Sequence, residues 1–153
     1  MTLNTKTVKG STSPIGDIAV LGQVRNPGAF AALKKDGSVV TWGHPDYGGD
    51  SSSVRDELSS GVKKIFSNTY EFAALKNDGS VVTWGDWTKV DNPLNKHYLQ
   101  FGNSVAPKSL LNGDVKTIYT NGLAFAALKN DGSVVTWGSN IMGGDSQKYS
   151  VLS

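Results

Sequence analysis

Three stretches of this chain are one sequence written three times. Residues 30–43 read FAALKKDGSVVTWG, and residues 72–85 and 125–138 both read FAALKNDGSVVTWG, so the copies differ only at Lys35. Their starts lie 42 and 53 positions apart. A chain of near-identical units buries its apolar surface by stacking one unit on the next, so the repeat constrains the fold more than any other feature.

The likeness runs past the cores. Residues 43–51 (GHPDYGGDS) return as residues 138–146 (GSNIMGGDS), and residues 61–66 (GVKKIF) as residues 114–119 (DVKTIY). This divides the chain into a tail over 1–16 and a single repeat domain over 17–153, with units at about 17–60, 61–112 and 113–153. At 153 residues, 38% hydrophobic and 18% charged, the chain has the material for one globular domain.

Each core reads as a β-hairpin. Phe72–Leu75 and Val81–Trp84 are short runs rich in apolar, β-branched and aromatic residues around Asn77-Asp78-Gly79, a turn signal. A two-residue Asp-Gly loop sets Ala73 opposite Trp84. A three-residue loop with a glycine bulge pairs Phe72 with Trp84 and Ala74 with Val82 instead. The second register is favoured, because it gathers Phe72, Ala74, Val82 and Trp84 on one face. The opposite face of Ala73, Leu75, Val81 and Thr83 is also largely apolar, so neither face is suited to water. Stacked sheets, with paired alanines allowing close approach, satisfy both faces. Segments 17–21, 62–66 and 115–119 supply one more strand per unit, and Ser51–Ser59 has the serine start of a short helical turn. The expected repeat core is Phe30, Leu33, Gly37 and Trp42, then Phe72, Leu75, Gly79 and Trp84, then Phe125, Leu128, Gly132 and Trp137.

The core, with its A-L-x-x-D-G-x-V-x-x-W-G pattern and a following Gly-rich turn, resembles the repeat of RCC1-like proteins, over some four fifths of the chain. The resemblance implies an all-β fold of three RCC1-like propeller blades, each an antiparallel hairpin plus an extra strand. A ring in that family usually holds about seven blades, so three make an incomplete propeller. The turn reads Gly48-Gly49-Asp50 where the family usually has Gly-Gln-Leu-Gly, and the second connector lacks it. The best-known member acts in guanine nucleotide exchange through a loop without a counterpart here, so that activity does not carry over. Other members bind proteins, one of them inhibiting a secreted hydrolase, and protein binding is what the resemblance implies. Three blades leave apolar faces open, and two chains giving six blades is the simplest closure, so a homo-oligomer is expected.

Chemistry is sparse. The chain has no cysteine and two histidines, His44 and His97, outside any nucleophile or metal motif. Asp36, Asp78 and Asp131 each offer one carboxylate beside glycine, short of the alternating oxygens of a calcium loop. The Gly-Gly-Asp-Ser turns lack the following lysine-bearing helix of a phosphate cradle. No cofactor and no enzymatic activity are expected. A net charge of +2 gives no reason to expect nucleic acid. The absence of a signal-peptide pattern or a long apolar run argues for a cytoplasmic or non-classically secreted chain with no membrane contact.

Individuality lies in the second connector, eleven residues longer than the first. Its Trp87, His97, Tyr98 and Phe101 sit among lysines and polar residues, a hot-spot composition. With Tyr149 and Val151 they are the expected partner or oligomer interface. A protein-binding module of inhibitor, immunity or toxin-accessory type heads the functional readings. A lectin stacking sugars on Trp42, Trp84 and Trp137, or a structural segment of a longer surface protein, are the alternatives.

Overall fold

The computed structural model describes residues 18–21, 26–89 and 103–145. They form three antiparallel sheets in chain order. The first holds β1 (Ile18–Leu21), β2 (Ala29–Lys34) and β3 (Val39–Gly43), and the second β4 (Val62–Ser67), β5 (Phe72–Lys76) and β6 (Val81–Trp84). The third holds β8 (Val115–Thr120), β9 (Ala124–Lys129) and β10 (Val134–Ser139), and β10 also carries the two-residue β7 (Asn103–Ser104) on its outer edge. The expected extra strand of each unit is β1, β4 and β8. Between blades one and two, Ser52–Val54 forms one 3-10 turn.

The hairpins take the bulged register. Phe72 faces Trp84 and Ala74 faces Val82, with Phe30 opposite Trp42 and Phe125 opposite Trp137 in the other copies. The reason lies in the turn. Gly79 is left-handed at φ 84° and its N–H closes the loop on the Lys76 carbonyl at 3.0 Å. Asp78 Oδ1 accepts from both the N–H and the hydroxyl of Ser80, at 2.9 and 2.6 Å. Asp36 with Ser38 and Asp131 with Ser133 repeat the arrangement.

Two buried clusters flank the middle blade. Phe72, Ala74, Val82 and Trp84 pack with Ala29, Ala31 and Leu33 of blade one, while Ala73 and Leu75 pack with Phe125, Ala127, Val135 and Trp137 of blade three. Both faces of blade two are thus dry, as the absence of a polar face predicts. Backbone bonds bolt the stack together. The Val62 N–H donates to Gly37 O at 2.9 Å and the Val115 N–H to Gly79 O at 3.0 Å, so each hairpin turn grips the first strand of the next blade.

Two further repeated anchors are present that carry a faint sequence signal. Leu58 and Leu111, each four residues ahead of a β-strand valine, are fully buried, and their carbonyls accept from the Val39 and Val81 N–H groups at 2.9 Å. Asn26, Asn68 and Asn121, each four residues ahead of the phenylalanine of its repeat, turn their Oδ1 onto the N–H groups two and three residues on. The long second connector returns to the same leucine anchor as the short first one.

The glycine after each tryptophan is fixed by crowding. At Gly85, with φ 100°, a Cβ would lie 2.6 Å from Tyr70 O and 2.9 Å from Glu71 Cα. Strain and clash together set the expected cost of Gly85→Ala at about 3 kcal/mol or more, measured as a shift in the urea midpoint. A change below about 1 kcal/mol would contradict the close approach.

Candidate functional site

Three stacked phenylalanine–tryptophan pairs recur, one per blade. Their ring centroids are 5.4, 5.3 and 5.1 Å apart and their planes 20°, 18° and 22° from parallel, for Phe30–Trp42, Phe72–Trp84 and Phe125–Trp137. Their surroundings differ. Phe72 and Trp84 are 2% and 5% exposed, and Phe125 and Trp137 are 1% and 2%, whereas Phe30 and Trp42 are 58% and 38% exposed. The expectation that Phe30 and Trp42 belong to the core is therefore corrected. They stand on the outer face of blade one, where no described residue stacks, while Leu33 is buried from the inner face. Gly37 and Gly79 hold turns against the next blade, Leu75 is buried, and Leu128 lies half-buried on the outer face of blade three.

The buried pairs show what such a face is built to meet. Trp84 donates its indole N–H to the Gly48 carbonyl at 3.0 Å, reaching from blade two into the turn that follows blade one. Gly48 has φ 94°, and a Cβ there would lie 2.7 Å from the Phe72 ring. The turn is pinned from behind by Asn26, whose Nδ2 donates to Tyr47 O at 2.6 Å. At the far end of the stack, Gly143 repeats the turn with φ 95° and Asn121 Nδ2 donates to Met142 O at 2.5 Å. Over Gly143 no described residue would lie within 4 Å of a Cβ. A cleft of about 270 Å³ lies there, lined by Tyr119, Ala126, Met142 and Gly143 among others.

Unit two lacks the Gly-Gly turn, and its asparagine takes another partner. Asn68 Nδ2 donates to Glu71 Oε2 at 3.2 Å. Burial pushes the Glu71 carboxyl up to about 7, against the pull of the Asn68 bond and with help from the Asp86 charge. By contrast, the hydroxyl and N–H of Ser38, Ser80 and Ser133 hold Asp36, Asp78 and Asp131 below the ordinary carboxylate range. Those oxygens serve the turns. His44 is exposed, and its Nδ1 accepts from the Asp46 N–H at 3.2 Å.

Of the expected interface residues, Trp87 begins a 3-10 turn (Trp87–Lys89) after β6, and its side chain lies outside the described residues. His97, Tyr98, Phe101, Tyr149 and Val151 also lie outside them. The Phe30–Trp42 face was hidden from sequence reasoning by its identity with the buried copies. Among the described residues no helix is long and apolar enough to cross a membrane, and no group of three or more His, Cys, Asp or Glu gathers to hold a metal.

No family model and no curated protein matches the chain. Solved structures do. The chain is similar to human WBSCR16 over 83% of its own length and 35% of that chain, at 22% identity and TM-score 0.53. It is also similar to the CRINKLY WD40 ectodomain of the receptor kinase ACR4 from Arabidopsis thaliana, over 80% and 37%, at 16% identity and TM-score 0.49. A third is Prp20p, the RCC1 of Saccharomyces cerevisiae, over 84% and 32%, at 18% identity and TM-score 0.48. The chain thus spans about a third of the length of the solved structures it matches. What it shares with them is fold. The three sheets of the described residues are β-propeller blades. All three carry the same Asp-Gly hairpin turn and the same Trp-Gly close approach.

Proposed function

We propose that the chain is a non-enzymatic protein-interaction scaffold. The Phe30–Trp42 pair carries this reading. Protein covers the equivalent pair twice within the chain, and the third pair stands stacked and exposed in the same geometry. An aromatic face already held in its packed form loses little freedom when a partner covers it. The narrower form of the proposal is a chain that acts by covering another protein, the class that holds inhibitor, immunity and toxin-accessory proteins. A lectin with one sugar site per blade gains no support, because Trp84 and Trp137 are buried.

The long connector is the second element of the proposal, with Trp87, His97, Tyr98 and Phe101, joined by Tyr149 and Val151. Repeated positions serve the stack, so discrimination between partners falls to what does not repeat. The immobilised chain is expected to capture a defined protein from extract of its source cells, and the triple change of Trp87, Tyr98 and Phe101 to alanine to weaken that capture by about tenfold or more. Capture at full strength by the triple variant would remove the connector from the site.

A further inference from the structure

The two open ends of this stack are complementary to each other. Blade one presents the Phe30–Trp42 pair. Blade three presents what such a pair packs against elsewhere in the chain: the alanine-and-leucine side of a blade, with a left-handed glycine turn beside it. We propose that a second copy of this chain docks here head to tail, seating its Phe30–Trp42 pair in the cleft beside Gly143. This rests on the protein-interaction reading and names the partner.

The docking follows from the internal interface between blades one and two, whose indole hydrogen bond, glycine contact and alanine packing have counterparts at the open ends. Trp84 donates to Gly48 O at 3.0 Å, so Trp42 of one copy donates to Gly143 O of the other. Phe72 rests over the bare Cα of Gly48, so Phe30 rests over Gly143, where no described residue stands within 4 Å of the Cβ position. Ala31 beneath the Phe72 pair is buried, and Ala73 beneath the Phe125 pair is wholly so, whereas Ala126, their counterpart, is half-buried beside a Tyr119 that is 61% exposed. The opposite end of the same face agrees. Gly37 and Gly79 each accept an N–H from the next blade, and a Cβ on them would meet that blade at 3.0 and 2.8 Å. At Gly132 a Cβ would meet no described residue within 4 Å. Ile18, which pairs with Lys34 as Val62 does with Lys76 and Val115 with Lys129, brings the N–H that belongs on Gly132 O.

A head-to-tail contact either closes or grows into a fibre. Two copies give six blades, within the about four to eight that propellers hold, and three copies exceed it. The product is a two-chain ring with two identical interfaces, each holding the other in place.

Trp42→Arg blocks the head and Ala126→Arg blocks the seat. Sedimentation velocity is expected to show the wild-type chain at twice 16.2 kDa and each variant alone at 16.2 kDa, its dissociation constant raised about a hundredfold or more. Mixed in equal amounts, the two variants retain one intact interface and are expected to form a one-to-one pair at concentrations where each alone is a monomer. That recovery also shows both variants folded. A wild-type monomer at every concentration, a variant that stays dimeric, or a mixture without recovery from variants with native near-UV circular dichroism would each overturn the proposal. If the wild type is monomeric yet Trp42→Arg abolishes capture of a different protein, self-assembly falls and the protein-interaction reading stands. If Trp42→Arg changes neither, both fall.

Discussion

Replacing Trp84 by alanine is expected to destabilise the chain by about 3–5 kcal/mol, whereas the same change at Trp42, in a nearly identical stretch of sequence, costs about 1 kcal/mol. Trp84 is buried between blades one and two, and its removal opens a cavity in the cluster shared by both. It also strips the Gly48 carbonyl of its indole donor. Trp42 loses only its stacking on Phe30 and partial burial. Trp137, closed in by blade two, is expected to behave as Trp84 does. Urea unfolding in the Ala126→Arg background, where assembly contributes nothing, reads the difference. Equal losses at Trp42 and Trp84 would contradict the open stack.

The stability of the chain is expected to fall as pH rises from about 4.5 to about 7, by up to about 3 kcal/mol from one side chain. Glu71 has an ordinary value of 4.5 that burial raises to about 7 in the folded chain. Between those values the folded state keeps a proton that the unfolded state has released. Its contribution is therefore complete at acid pH, declines through the window and is gone above it. Glu71→Gln is close to isosteric and its amide oxygen still accepts from Asn68. The variant is expected to gain about 2–3 kcal/mol at pH 8 and change little at pH 4, flattening the wild-type curve. Urea midpoints at both pH values check this. Parallel curves for the two proteins would place the charge of Glu71 in water rather than against the blade.

Much of the fold is legible in the repeats alone. The hairpins, their bulged register and the extra strand of each unit follow from where Gly79, Val82 and Trp84 stand in every copy. The asparagine four residues ahead of each phenylalanine and the leucine four residues ahead of each valine are harder to read. Their surroundings in the sequence differ from unit to unit, and their roles lie in backbone hydrogen bonds rather than in an apolar pattern. The exposed pair is a different kind of miss. Phe30 and Phe72 have the same local sequence, so no local signal separates them, and burial there is decided by which blade lies alongside. The open face emerges only when three blades are stacked and the ends are compared.

The most direct test of the account is the mass of the wild-type chain by light scattering across concentrations. Twice 16.2 kDa, falling to the single-chain value on dilution, is the predicted result for blades that close their ends on a second copy. A mass of 16.2 kDa at every concentration would contradict it.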